Sequence, residues 1–370
     1  MRVLHVMSER GAHGGGEIFA LDTVLALQER GVEQFVICRP YDDYLQPLRN
    51  VGVPVQTFDF NKWNKWFQKR RVGRRILQGI KSHAPDVVHC WMPTAADWTP
   101  PGSGVPVLGW FGIRLDMKHF RNCDYHMGVT HELASWIGEK SGHPDRVFHG
   151  HTFVSLEEYP PLSREEFGIP DNKPVILMLA RMSPAKGVDI LLRAAVELDV
   201  FLLLAGGGNA LKNHSNLARE LGIESGEGHT LEDYRQLARD LGIESRVRFI
   251  GWRHDRSALL DLADILAVPS RFEGFPTVVP EAWSKNVPVV ASKANGLGEY
   301  IDHGTNGMLS DIEDIDGLKD NIRAVLENAG LRGRLIAGGA GTYETKFSKQ
   351  AVISSLLKTY EEIARRGVGS

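Results

Sequence analysis

Short apolar runs recur along this chain in two series, separated by longer helix-length stretches. No other feature restricts the fold as much. Apolar runs of this length, bounded by turn-forming segments, mark parallel strands joined by crossover helices. Strands buried on both faces read as continuous Val, Ile and Leu rather than alternating. The first series predicts strands over residues 3–7, 34–38, 53–57, 86–89, 106–110 and 125–129. The second predicts strands over 175–180, 200–205, 247–251, 265–269 and 287–291. The expected class is α/β, with a parallel sheet in each half covered on both faces.

A length of 370 residues suits two domains better than one core. The stretch between the two series holds Pro160-Pro161 and Pro170, which fits an exposed connection. It places an N-terminal domain at residues 1–158 and a C-terminal domain at 159–348. Beyond these, Val352, Ile353, Leu356, Leu357, Tyr360 and Ile363 recur at helical spacing, predicting an amphipathic helix over about 349–366. Periodicity does not say which domain it covers. A nine-residue segment at 217–225 is nearly repeated at 237–245. It reads as a local duplication, one copy being the helix before the 247–251 strand and the other an added surface helix.

Hydrophobic residues make up 42% and charged residues 24%, a globular mix that excludes wholesale disorder. No apolar run is long enough for a membrane-spanning helix, and no secretory signal is read, so the expected address is cytoplasmic. The 3 cysteines, Cys38, Cys90 and Cys123, are widely spaced and form no CxxC pair. They read as free thiols.

In an open parallel sheet, ligands bind at the carboxyl ends of the strands. After the first strand of the chain come Gly14-Gly15-Gly16-Glu17, whose small residues let backbone approach a ligand ahead of a helix N-terminus. After the first strand of the second series, Arg181 and Lys186 put a planar fork and a point charge at a strand end, an anion site in outline. Further on, Glu273-Gly274-Phe275-Pro276-Thr277 leads to Glu281, placing two carboxylates around a glycine–proline turn.

The spacing from Glu273 to Glu281 matches the E-x7-E motif of retaining glycosyltransferases with the GT-B fold, and the chain resembles family 4 of that group. Gly14 to Glu17, Arg181, Lys186-Gly187, Gly206-Gly207-Gly208, Val247 to Gly251 and Asn295-Gly296-Leu297-Gly298-Glu299 fall, with that motif, in the family's order along the chain. The resemblance implies two Rossmann-like domains with parallel sheets facing across a cleft, and a final helix packing back on the N-terminal one. By the same resemblance the nucleoside-diphosphate sugar, with UDP or GDP as the first choices, lies mainly on the C-terminal domain. Arg181 and Lys186 would hold the diphosphate and Glu281 the ribose. Glu273 and the backbone from Gly274 through Phe275 and Pro276 to Thr277 would contact the donor sugar. Gly206 would also belong to the donor-binding set, and Gly15 and Gly16 would approach from the opposite domain. The Gly251-Trp252-Arg253 loop would lie beside the base. The implied catalytic set is Arg181, Lys186 and Glu273, with no cofactor and no metal. The implied reaction carries a sugar, with retained configuration, to a hydroxyl of a lipid-linked or polysaccharide acceptor in cell-envelope or exopolysaccharide synthesis. A nucleotide-sugar 2-epimerase of the same fold is the alternative, with a catalytically silent nucleotide-sugar-binding protein as a third.

Three sites depart from the pattern or imitate another. Phe111 stands where many family members carry a His, and His119 nearby has no support for that role. His149-Gly150-His151 resembles a metal pair but reads as polar linker. Asp314-Ile315-Asp316 resembles the Asp-x-Asp of metal-dependent transferases of the other major fold, but its place before a helix predicts capping.

The formal net charge of −3 conceals an asymmetry: residues 1–150 hold 18 Lys and Arg against 15 Asp and Glu. Within them, 61–81 carries Lys62, Lys65, Lys69, Arg70, Arg71, Arg74, Arg75 and Lys81 with no acidic residue, interleaved with Trp63, Trp66 and Phe67. Such a segment is expected to meet an anionic membrane or lipid-linked acceptor, placing the protein peripherally on the inner face of the plasma membrane. Nucleic acid fits less well and is not expected as a partner.

Overall fold

A computed structural model of the chain describes residues 1–8, 15–58, 65–207 and 230–368, with 65–67 as backbone only. The chain divides into two compact units, one formed by Met1–Phe153 with Ser348–Ser370 and the other by Val154–Phe347.

The first unit is built on strands β1 (Arg2–Met7), β2 (Glu33–Cys38), β3 (Val55–Thr57), β4 (Val87–Cys90), β5 (Val107–Phe111), β6 (Tyr125–Gly128) and β7 (Val147–His149). They pair in parallel in the order β3-β2-β1-β4-β5-β6-β7. Crossovers are made by helices α1 (Gly15–Glu29), α2 (Asp42–Asn50), α3 (Lys65–His83), α4 (Pro93–Trp98) and α5 (His131–Ser141).

The second unit repeats the plan with β8 (Val175–Leu179), β9 (Phe201–Ala205), β10 (Val247–Gly251), β11 (Ile265–Val268), β12 (Val289–Ser292) and β13 (Met308–Ser310), in the order β10-β9-β8-β11-β12-β13. Every residue of β8 and β9 is buried. Separate apolar clusters cover the two faces of this sheet, one around Leu191 and Ile322 and the other around Trp283 and Phe347. This is why these strands read as unbroken apolar runs.

All the expected strands are present, with ends shifted by a residue or two. The sequence reading missed β7 and β13. Each is a three-residue edge strand, too short to stand out as an apolar run. Sequence placed the domain boundary after 158; the units divide at Phe153 and Val154. Phe153 packs its ring 5.3 Å from Phe19 in the first unit. Ser257 in the second unit takes the chain immediately after, donating to the Glu157 carbonyl at 2.7 Å and accepting from the Tyr159 amide at 3.2 Å. In the duplicated segment, the copy at 217–225 lies outside the described residues. The copy at 237–245 runs from the end of the helix Leu231–Asp240 into the turn before β10.

The C-terminal helix Lys349–Arg366, capped by Ser348 accepting from the Ala351 amide, completes the first unit. Its Tyr360 is fully buried and shares a 2.6 Å hydrogen bond with His89 Nδ1 on β4. Trp91 lies beside that ring, with centroids 4.0 Å apart, and donates from Nε1 to His5 Nδ1 at 3.1 Å. His5 therefore carries its proton on Nε2, which donates to Gln34 Oε1 at 3.1 Å.

Both imidazoles are 0% exposed. Burial pushes His5 down to about 3, against a hydrogen bond to Gln34 that favours the charged form. Burial and then the neighbouring His5 hold His89 well below its usual range. Unfolding frees both to take a proton at an ordinary histidine pKa. Their contribution is thus intact above about pH 6.5 and is lost as pH falls from there toward the folded-state values. At pH 5 each neutral histidine costs on the order of 2 kcal/mol. The first unit should therefore melt markedly lower at pH 5 than at pH 7.5. His126, also buried in this unit and pushed down to about 4, adds a third such contribution, so His5→Gln should flatten that dependence by about a third. Urea titrations at both pH values test this, and an equal slope in wild type and variant would refute it.

Candidate functional site

The order of each sheet reverses beside its first strand, so β8 is flanked by β9 and β11. The loops leaving β8 and β11 open on either side of that reversal, where α/β sheets hold ligands.

The loop after β8 tightens into a helical turn, Pro184–Lys186, ended by Gly187 in the left-handed region at φ 69°. A Cβ at Gly187 would stand 2.0 Å from the Pro269 carbonyl oxygen, so only glycine lets this turn lie against the exit of β11. The Ala185 carbonyl accepts from the amides of Arg271 at 2.8 Å and Phe272 at 3.3 Å. The Arg271 guanidinium makes a fork with Asp189 (2.9 and 2.8 Å) and reaches the Pro184 carbonyl and Glu313, each at 2.7 Å. These carboxylates, Asp189 first, hold Arg271 above even the ordinary arginine range despite its partial burial.

Lys186 Nζ is fixed by this bracing 2.6 Å from Glu273 Oε1, and the Ser270 hydroxyl donates to the same oxygen at 2.7 Å. Glu273 is only 7% exposed. The loops thus bring together two of the three residues expected to be catalytic. Arg181 is exposed at the end of β8, with no ion pair among the described residues.

Glu281 lies in the first turn of the helix Val278–Ser284 and is 2% exposed. Arg256 Nη1 donates to its Oε1 at 2.6 Å, while Oε2 is buried without a hydrogen-bond partner among the described residues. Burial pushes this carboxyl up, against the pull of Arg256. Between the two carboxylates, Pro276 is buried, Phe275 packs on Tyr300, and the Gly274 carbonyl sits against Gly296. A Cβ at Gly296 would approach that oxygen to 2.3 Å.

The exits of β8, β9 and β10 are laced together. Gly206 donates from its amide to the Gly251 carbonyl at 2.7 Å, and Met182 to that of Gly207 at 3.1 Å. Gly208 lies outside the described residues. Trp252 is 63% exposed, edge-on to His254 at 3.9 Å. Arg253, expected beside a base, turns to Asp255, with Nε 2.8 Å from Oδ1, and lies 3.6 Å from Glu166.

In the first unit, Gly15 and Gly16 open α1, and a Cβ on Gly16 would stand 3.1 Å from the Trp110 ring. Gly14 lies outside the described residues. Phe111 is fully buried between Phe120, at 3.9 Å, and His126, at 5.7 Å, so it serves the core. His149 ends β7 and stacks on His131 with centroids 3.8 Å apart, so it is strand rather than linker. Among the described residues no group of three or more His, Cys, Asp or Glu side chains converges as metal ligands. Asp314 caps the helix Ile315–Glu327, accepting from the Gly317 amide at 2.9 Å.

The basic segment forms α3, with Lys62 and Trp63 outside the described residues, and Lys65 and Trp66 described as backbone only. Arg70, Arg71, Arg74, Arg75 and Lys81 are exposed on it, and Val72, Ile76 and Ile80 are buried beneath. Lys69 departs from the expectation of an uncompensated patch: its Nζ is 2.7 Å from Asp97 on α4. The pairing residue lies outside the acid-free stretch, beyond the reach of a local count.

Sequence reasoning missed Ser270, Arg271, Asp189 and Arg256. Ser270 and Arg271 stand just before Glu273 on the same turn, which is the signal that could have found them; Ser270 bonds Glu273 directly, and Arg271 ties the turn to Asp189 and Pro184. Asp189 and Arg256 meet their partners only through the fold.

Residues 161–341 match the family described as glycosyl transferases group 1, and residues 13–109 match glycosyltransferase family 4. The lipopolysaccharide core biosynthesis glycosyltransferase LpsE of Rhizobium meliloti is 27% identical, covering 97% of this chain and 98% of its own. The D-inositol 3-phosphate glycosyltransferase of Mycobacterium tuberculosis is 32% identical, over 97% of this chain and 80% of its own. The crystal structure of Anabaena HepE in complex with UDP superposes with a TM-score of 0.75 at 21% identity, covering 98% of this chain and 100% of that one. With two parallel-sheet Rossmann-like units of the GT-B type and matches to both family domains, the chain belongs to the family 4 glycosyltransferases.

Proposed function

We propose that this glycosyltransferase moves a sugar from a nucleoside diphosphate, UDP before GDP, to a hydroxyl of a lipid-linked or polysaccharide acceptor, with retained configuration, in cell-envelope glycan synthesis such as that of lipopolysaccharide core. The observation that carries this reading is the braced pair of Lys186 and Glu273 at the reversal point of the second sheet. The relative named for lipopolysaccharide core synthesis and the UDP-bound structural neighbour support the acceptor class and the base.

The chemistry follows from the charges. Cleaving the bond between the anomeric carbon and the diphosphate leaves negative charge on the departing oxygen. Lys186, joined by Arg181, stabilises that charge in a site of low polarity. The acceptor oxygen bonds to the same carbon on the same face, and its proton passes to the departing phosphate oxygen, so no protein base is required. The free Oε2 of Glu281 suits a ribose hydroxyl. Glu273 and the Gly274 to Thr277 turn face the sugar.

Lys186→Ala should lower turnover by about 10² to 10³ at saturating donor. It also strips a buried carboxylate of its cation, so the double variant Lys186→Ala, Glu273→Gln should recover stability but not turnover. Near-wild-type turnover by either folded variant would refute the assignment.

A ligand that binds only the folded state raises its melting point, and at 100 times its Kd the gain is about 2.7 kcal/mol. Thermal melts with UDP, GDP and ADP should show the largest rise with UDP. No response to any of them would exclude the donor reading.

The exposed arginines of α3 support peripheral attachment to the anionic inner face of the plasma membrane, each cation contributing roughly 1 kcal/mol. Changing Arg70, Arg71, Arg74 and Arg75 to Ser should abolish co-sedimentation with phosphatidylglycerol vesicles while sparing nucleotide binding. Unchanged sedimentation would count against the membrane contact.

A further inference from the structure

Tyr300 ends the short helix Leu297–Tyr300 and is 3% exposed, its ring packed 5.6 Å from Phe275 and 5.5 Å from Phe347. Its hydroxyl has no hydrogen-bond partner among the described residues. A phenol shut away from water without a partner is disfavoured, and phenylalanine would keep every ring contact without that penalty. The ring accounts for the packing, and the hydroxyl calls for a separate reason.

Its position supplies one. The place where a Cβ on Gly296 would stand is 3.3 Å from Tyr300 Oη and 2.3 Å from the Gly274 carbonyl oxygen, so the hydroxyl borders the Glu273-Gly274 turn. Burial, and then the negative charge of Glu273, push this phenol up. It therefore remains a donor at any working pH. In the structure Glu273 Oε1 is already engaged by Lys186 and Ser270.

We infer that Tyr300 is a positioning residue for the donor sugar: when a diphosphate draws Lys186 to itself, the Tyr300 hydroxyl donates to the Glu273 carboxylate and holds the Gly274 turn against the sugar. The inference rests on the donor roles proposed for Lys186 and Glu273. The unmet hydroxyl raises the free energy of the empty form, and its pairing in the loaded form favours that state.

Tyr300→Phe tests this with UDP, UDP-glucose and a panel of UDP-sugars. The variant should melt at the wild-type temperature or slightly above it, and UDP alone should still raise its melting point. The kcat/KM for the sugar transferred by the wild type should fall roughly 10- to 100-fold, the scale of a hydrogen bond to a charged group. Wild-type kcat/KM in a stably folded variant would overturn the inference. So would a melting point several degrees lower with the nucleotide response and kcat/KM intact, since the hydroxyl would then be structural. A wild type that neither binds nor transfers any nucleotide sugar would instead sink the underlying donor reading.

Discussion

The guanidinium of Arg271 sets the spacing between the loops that leave β8 and β11, and the site depends on that spacing. It binds Asp189, the Pro184 carbonyl and Glu313 while its own amide engages Ala185. Charge-assisted bonds of this kind contribute about 1.5–3 kcal/mol where shielded, and less at the exposed Glu313 end. Their effect is to fix a flexible lysine on the neighbouring turn. A lysine stem ordinarily samples many rotamers. Here its ammonium group is held beside Glu273 by a backbone that cannot drift.

The two carboxylates of the site sit in contrasting surroundings. Glu273 shares one oxygen with a cation and a hydroxyl, and is charge-balanced at rest. Glu281 is held by Arg256 through Oε1, with Oε2 buried and lacking a hydrogen-bond partner among the described residues. Burial therefore raises its proton affinity, and an incoming hydroxyl donor would relieve the imbalance. At rest one carboxylate is fully partnered and the other has room for a further donor.

Much of this was legible in the sequence, because strands buried on both faces cannot hide their composition. Val175 to Leu179 and Phe201 to Ala205 announced themselves, whereas the need for glycine at 187 emerges only from the fold, in which its turn presses on the Pro269 carbonyl. Edge strands β7 and β13 did not stand out, because three residues are too few to carry a pattern. The partners of the site residues were hidden for a different reason. Asp189 and Arg271 lie 82 positions apart, and Arg256 and Glu281 lie 25 apart. Ion pairs across such separations are a product of topology, and no local period encodes them. Lys69 taught the same lesson on α3, its charge being matched by Asp97, 28 positions away.

His89 and Tyr360 meet across 271 positions, the second contributed by a helix that ends at Arg366. A ribosome making this chain releases the first sheet long before the surface that must cover it exists. Until the chain has been made through the helix Lys349–Arg366, β4 and the aromatic cluster around Trp91 lack the cover that Tyr360 brings, and the nascent first unit must be sheltered or remain loosely packed. The second unit, continuous from Val154 to Phe347, has no such wait. The unit whose strands are made first is thus closed only after the other has been made in full, and a chain cut before Ser348 is damaged in its first sheet.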